Sequence, residues 1–340
     1  MVENRSVRLR ATNCTIADLL TAGLEQAESE GLERTTMRGY RRVAQNQILP
    51  ALGKKQITKL SVEELDRFYR ALAKKGYSHS TIHQTHIVMR RVLESARRWG
   101  WISVNPAKDA RPPRVETPDP SPVGLDQIMR LIEVADASYP EMAACITLAA
   151  DTGARRSELC ALKWSRVDLE KAKVRFDSSI GEAGGACEKD TKNHQHRTVS
   201  LSPVAVAELR RHRKAMLERA LVCGVGFVED AFVFSGAPDC GTFWFPTNLS
   251  HSFRRLRTKA GLPVSVKLHG LRHTQVTQLL DAGVPVRTVS GRVGHRNAST
   301  TNNIYSHWVA ETDEKAADVV NDRIWADRPA RPKPPSAEAS

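Results

Sequence analysis

No stretch of this 340-residue chain is apolar for the ~20 residues that a membrane-spanning helix needs. The first ten residues, MVENRSVRLR, lack the apolar core of a secretory signal peptide, so the expected location is the cytoplasm of a host cell. Cysteines are few and scattered: Cys14, Cys145, Cys160, Cys187, Cys223 and Cys240 form neither a C-x-x-C pair nor a secreted-domain framework. They read as reduced thiols, several of them core fillers. Acidic residues are the minority, 38 against 51 Lys and Arg, which leaves a net charge of +13. Such a surface points to a polyanion, and nucleic acid is the commonest one. An anionic membrane is the other candidate, but no amphipathic helix or polybasic tract beside an apolar anchor supports it.

What is present suffices for two cores. Hydrophobic residues make up 41% of the chain and charged residues 26%, ordinary values for a globular protein of this length. The charge is uneven, with +9 of the +13 lying in residues 1–112. That stretch reads as a small helical body after a short tail of residues 1–11. Thr15 can cap a helix ending at Gly31, and Thr35 or Thr36 opens another that should stop by Pro50. Ser61-Val-Glu-Glu64 is a capping box for a third helix, closed by Gly76. A fourth runs from Ser80 to Gly100, with Ile82, Met89, Val92, Leu93 and Ala96 at helical spacing. Its other side carries His79, His83, His86, Arg90 and Arg97. A solvated basic face would look the same. Beside the net charge of this body, a phosphate-contacting surface built on His83, His86, Arg90 and Arg97 is the stronger expectation.

Six prolines crowd residues 106–122, and residues 111–123 read as an extended linker. A helical domain over 12–110 and a second body over 124–326 are therefore expected, with a disordered tail over 327–340. The second body should be mixed α+β but mainly helical. Helices are expected over 125–137, 141–151 and 155–163, then strands over 173–180 (KVRFDSSI) and 197–202 (RTVSLS). Pro203 opens a helix running to about Val222. Residues 232–235 are a short extended piece, and the rest is helical to about Trp325.

Four separated pieces carry unusual polar content. DTGARRSELCALKW places Arg155 after a Thr-Gly pair, with Glu158 three residues on and able to orient the guanidinium, although such pairs are commonplace on surfaces. DTKNHQHRTVSL puts Lys192 near a hairpin tip and Arg197 at the start of the second strand. KLHGLRHT sets His269 and Arg272 on one helical face, while His273 reads as a packed, hydrogen-bonded core residue. VGHRNASTTNNIYSHW offers Gly294-His295 and then Tyr305, a residue that on its own would read as packing. Arginine forks, imidazoles and a phenol with no carboxylate cage suit a phosphodiester better than a metal.

In this order the pieces resemble the tyrosine recombinases, the phage-integrase family of site-specific DNA recombinases. The matching pieces are TGARRSELCALKW, TKNHQHRTVSL, HGLRHT and VGH…TTNNIYSH. The resemblance implies an active site of Arg155, Lys192, His269, Arg272, His295 and the nucleophile Tyr305, with Glu158 in support. It also implies a SAM-like four-helix core-binding domain before an α+β catalytic domain with a small antiparallel sheet. The implied reaction breaks and rejoins DNA through a 3′-phosphotyrosyl bond without metal, ATP or any other cofactor. Implied partners are double-stranded DNA attachment sites, three further copies in a tetrameric synapse, and a directionality factor. Arg156 duplicates the first arginine, but the spacing to Glu158 favours Arg155. Only about eleven residues precede the first helical domain, too few for an arm-binding domain, so a simple integrase of a phage or mobile element is expected. A resolvase of chromosome or plasmid dimers, a type IB topoisomerase, a noncatalytic DNA-binding protein and a histidine-based metallohydrolase are the alternatives.

Overall fold

The computed structural model describes residues 13–115, 122–182, 187–190 and 196–294. The chain divides into two compact units, Met1–Pro118 with Gly181–Glu188, and Asp119–Ile180 with Lys189–Ser340.

The first unit is helical. Thr15 caps α1 (Ile16–Ser29) in a reciprocal box with Asp18. The next helix, α2 (Arg34–Val43), continues through a π-helical turn, Ala44–Ile48, into α3 (Leu49–Leu52). Pro50, the expected stop, is thus absorbed. A proline ring normally clashes with the carbonyl four residues back. Here the π turn shifts the ladder, so that Leu49 bonds Ala44 five residues back and the chain passes the ring. The helix α4 (Val62–Lys74) carries the expected Ser61–Glu64 box. Ser78 rather than Ser80 caps α5 (His79–Arg98), by accepting from the Thr81 amide.

Leu19, Leu65, Leu72, Ile82, Met89, Val92 and Leu93 fill the centre of this unit. Gly23 lets α1 lie close on α5, since a Cβ there would sit 2.9 Å from Val92 Cγ1. His86 belongs to the same interior. It is 8% exposed, and its Nδ1 lies 3.1 Å from the Tyr69 hydroxyl.

The second unit surrounds one buried helix. α6 (Leu125–Ser138) leads into α7 (Pro140–Thr152), in which Met142, Ala143, Ala144, Cys145, Ile146, Leu148 and Ala149 are all buried. A helix apolar on every side belongs in the middle of a domain. It is packed by α6, by α9 (Pro203–Val222) and by α11 (Leu268–Asp281). After α7 come α8 (Arg156–Ala161) and a three-stranded antiparallel sheet, β1 (Val167–Asp168), β2 (Lys173–Phe176) and β5 (Arg197–Ser200), in the order β1-β2-β5.

The single strand expected over 173–180 breaks at Asp177. Its carboxylate is pinned by Arg166 Nε at 2.8 Å and Arg175 Nε at 3.1 Å, so the chain turns there and β3 (Ser178–Gly181) pairs with β4 (Cys187–Asp190) as a separate ribbon. Phe232 in the expected extended piece makes one isolated bridge to Lys163. α10 (Pro246–Lys259) and α12 (Val286–Val293) complete the described helices.

Candidate active site

The central helix α7 ends on Gly153, whose left-handed backbone (φ +63°) turns the chain sharply into Ala154 and Arg155. Only a residue without a side chain fits. A Cβ at this position would lie 2.2 Å from Gln275 Oε1 and 2.9 Å from Val293 Cγ1. Arg155 then stands at the N-cap of α8. Its amide donates to Glu158 Oε2 at 2.8 Å and its Nη1 to Glu158 Oε1 at 2.9 Å, while Nη2 reaches the Gly294 carbonyl at 2.7 Å. Arg156 takes a different partner and donates to the Ser250 hydroxyl at 2.7 Å.

Arg272 enters from α11. It is 3% exposed, and its Nη1 donates to the Gly153 carbonyl at 2.6 Å. Its Nη2 is buried with no hydrogen-bond partner among the described residues. Burial first, and the positive charge of Arg155 second, push its pKa down to about 9. An arginine held in this way is stabilised by any anion that reaches it, because a guanidinium stays charged and leaving one of its donors unmade is costly.

His269 stands on the same helix three residues before Arg272. Partial burial, then His273, Arg272 and Arg155, lower its pKa to about 4, so the ring is neutral at physiological pH. His273 packs edge-on against it with centroids 4.8 Å apart. His273 Nδ1 is buried without a hydrogen-bond partner among the described residues.

Arg155 and His269 open onto a cavity of about 570 Å³ that Arg156, Arg254 and Lys267 also line. Among the described residues no carboxylate lines it. Glu158, the one acid among these groups, is 3% exposed. Burial opposes its ionisation, but hydrogen bonds and charge from Arg197, with Arg155 behind, outweigh burial and hold its pKa below the usual carboxylate range. Arg155, Glu158, His269 and Arg272 are therefore assembled in one place. Lys192, His295 and Tyr305 lie outside the described residues, as do the expected C-terminal helix and tail.

Sequence reasoning placed Arg197 at the start of a strand and gave it no part in the site. Its Nη1 and Nη2 meet Glu158 Oε1 and Oε2 at 3.1 and 2.7 Å, and its Nε donates to the Arg292 carbonyl at 2.9 Å. Its guanidinium carbon lies 4.7 Å from the centre of the Phe176 ring, its partner in the β2–β5 register. The signal was available: in RTVS the arginine shares the inward face with buried Val199 two residues on. Also unforeseen was the support beneath the Gly153 turn, where Gln275 Nε2 and Arg292 Nη2 both donate to the Asp151 carbonyl.

The candidate DNA-contacting residues of α5 divide. His83, His86 and Arg90 line one groove of about 700 Å³, together with Glu30 and Glu94. Glu30 pairs with Arg91 at 2.8 Å and Arg98 at 3.2 Å, and Arg97 turns to Glu94 at 2.7 Å. The uniformly basic face expected from the sequence is in fact interrupted by two acids. His86 is held inward by Tyr69, and burial first of all lowers its pKa.

This arrangement of a buried arginine, a carboxylate-braced arginine and a neutral histidine is suited to an anion. Residues 123–311 match the model of the phage integrase family, and residues 15–73 match the N-terminal SAM-like domain of phage integrases. The chain belongs to the phage integrase family, whose members are tyrosine recombinases: enzymes of DNA strand breakage and rejoining. A tyrosine recombinase XerC-like protein of Caldanaerobacter subterraneus subsp. tengcongensis is 28% identical over 76% of this chain and 70% of its own length. An integrase of Streptomyces ambofaciens is 28% identical over 94% of this chain and 83% of its own. Among solved structures, the Tn1549 transposon integrase in complex with circular intermediate DNA shares the fold with a TM-score of 0.76, 19% identity, and coverage of 90% of this chain and 99% of that one. A lambda integrase tetramer bound to a Holliday junction gives 0.67 at 17% identity, covering 91% and 82%.

Proposed function

We propose that this recombinase integrates and excises a phage or other mobile element, cutting its attachment sites through a 3′-phosphotyrosyl bond to Tyr305. The observation that carries the reading is a buried Arg272, its Nη2 without a partner among the described residues and its charge felt by that of Arg155, next to an Arg155 that lines a cavity with no carboxylate among its described lining residues. Two guanidiniums so placed suit the nonbridging oxygens of one phosphate, and they act without rearranging as charge builds in the transition state.

Tyr305 Oη forms the new bond to phosphorus as the bond to O5′ breaks. Lys192 gives the leaving O5′ its proton, and His269 and His295 assist by hydrogen bonding and by taking the tyrosine proton. A neutral His269 is suited to accept, which fits its low pKa. The phosphotyrosyl bond keeps the phosphodiester energy, so attack by a second strand's 5′-hydroxyl rejoins DNA with no ATP. Relatives named integrase match 94% and 95% of the chain, against 72–76% for those named XerC or XerC-like, and this favours integration over dimer resolution.

In this reading residues 12–110 and 124–326, joined by 111–123, close on duplex DNA, and four copies hold two attachment sites in the host cytoplasm with a directionality factor choosing between integration and excision. The test is a nicked duplex carrying the junction sequence mapped beside the gene. Wild-type protein is expected to give an SDS-resistant complex and Tyr305→Phe none, with duplex binding unchanged. An adduct that persists in Tyr305→Phe assigns the nucleophile to another residue and refutes this reading.

A further inference from the structure

We infer that Arg197 is a positioning residue for the cleavage step: it keeps Glu158 from neutralising Arg155, and it ties together the strand after Lys192, the Arg155 helix and the turn at Gly294. The inference rests on the reading of Arg155 as a phosphate-binding group.

The structure poses a charge problem that Arg197 solves. Glu158 fixes the direction of Arg155 through its amide and its Nη1. A carboxylate engaged with a single arginine in the interior would cancel that arginine's charge, and a cancelled guanidinium attracts phosphate weakly. Arg197 takes both oxygens of the same carboxylate in a two-pronged pair, with both side chains almost wholly buried (8% and 3% exposed). Two guanidiniums thus share one carboxylate. The charge left over belongs to Arg155, because Arg197 is enclosed under Phe176 while the Arg155 side chain is 40% exposed.

The second role is geometric. Arg197 opens β5, five residues after Lys192, and its Nε holds the Arg292 carbonyl near the end of α12. Two residues further, the Gly294 carbonyl accepts from Arg155 Nη2. Gly294 itself adopts a left-handed turn (φ +69°), and a Cβ there would come within 3.2 Å of Arg197 Nη1. The side chain therefore braces the backbone immediately before His295. Lysine could supply the charge but not the three directed bonds.

The test is single-turnover formation of the Tyr305–DNA adduct on the same nicked duplex, measured across pH alongside duplex affinity and thermal unfolding. Wild-type adduct must form first; its absence would refute the proposed reaction and is told apart from any result on Arg197. Arg197→Met should slow cleavage by ~10²-fold at pH 7.5, the scale for losing one preorganised charge-stabilising donor, with duplex affinity little changed. Its deficit should shrink as the pH falls, because the buried Glu158 carboxyl, having lost its larger charge partner Arg197 and kept only Arg155, takes up a proton more readily than in wild type and stops cancelling Arg155. Adding Glu158→Gln to Arg197→Met should restore cleavage by about tenfold or more, within the coupling range of contacting charged residues. Arg197→Lys, which keeps the charge, should retain the wild-type pH profile at a reduced rate.

A pH-independent deficit in Arg197→Met, or a double variant no faster than the single, would overturn the charge-sharing role and leave Arg197 a structural residue. Should Arg197→Met fail to unfold cooperatively, the double variant decides. Folded and cleaving within about tenfold of Glu158→Gln it supports the inference, and folded but slower than that it refutes it.

Discussion

The turn at Gly153 joins stability to chemistry, and Gly153→Ala separates the two. The new methyl forces a left-handed backbone on an L-residue, at about 1–2 kcal/mol. It also lands 2.2 Å from Gln275 Oε1 and 2.9 Å from Val293 Cγ1. Gln275 is 9% exposed and holds the Asp151 carbonyl through Nε2, so it has little room to yield. Overpacking of this kind costs about 1–3 kcal/mol, giving a total of roughly 2–5 kcal/mol. For a unit of this size that lowers the melting temperature by about 4–20 °C.

Gly261→Ala is the control. It lies in the same unit with a similar backbone (φ +71°) but nothing within 4 Å of its Cβ, so it should lose only the conformational part, about 2–8 °C. Scanning calorimetry of the two variants beside wild type gives the difference. A second readout comes from the Gly153 carbonyl, which is the acceptor for Arg272 Nη1. Well below its melting temperature, folded Gly153→Ala should cleave the nicked duplex about tenfold or more slowly, whereas Gly261→Ala should match wild type. Equal melting shifts in the two variants, or wild-type cleavage by folded Gly153→Ala, would refute the packing argument.

Arg155→Ala and Arg272→Ala should each slow adduct formation by at least ~10²-fold, with lysine rescuing only in part. Arg156→Ala should be mild because that side chain faces Ser250; a dispensable Arg155 with an essential Arg156 would reverse the assignment. The His269 ring, with its pKa near 4, should still be neutral at pH 6 by NMR in the free protein and should titrate higher once DNA phosphate is bound. A depressed histidine pKa means that its contribution to stability is complete above about 6.5 and is lost as the pH falls through 4, so His269→Asn should flatten acid destabilisation over that window, and an unchanged acid profile would refute the assignment. Residues 1–112 alone should bind duplex DNA weakly, with a steep fall in affinity as salt rises, measured by anisotropy; affinity equal to the full chain, or insensitive to salt, would defeat the two-part grip.

Local rules were readable where one residue decides the outcome. Ser61 with Glu64, and Pro203 at the first turn of Pro203–Val222, needed only their neighbours. Reading failed where a second, distant group intervened. Pro50 read as a stop because a π turn leaves no mark in composition, and Asp177 breaks a strand through two arginines that no periodicity would pair with it. His86 sits on the polar side of α5 by spacing yet is drawn inward by Tyr69, seventeen residues earlier.

The active-site candidates show the same division more sharply. The Arg155–Glu158 pair is visible as two residues three apart, and its weakness as a motif is that exposed pairs look identical. What distinguishes it is Arg197, thirty-nine residues later, which makes the carboxylate a buried and shared one. Likewise the spacing of His269 and Arg272 gives a common face but no target. The target is a backbone carbonyl 119 residues earlier, exposed to Arg272 because Gly153 turns left-handed just where α7 ends. The glycine of the Thr-Gly pair therefore has two functions that a single local reading cannot separate: it delivers Arg155 from one side, and it presents the oxygen that seats Arg272 from the other. Two arginines on one anion repel each other, so each has to be held by something other than the substrate. A carboxylate holds the first and a carbonyl the second, and only the second is left with a buried donor unused.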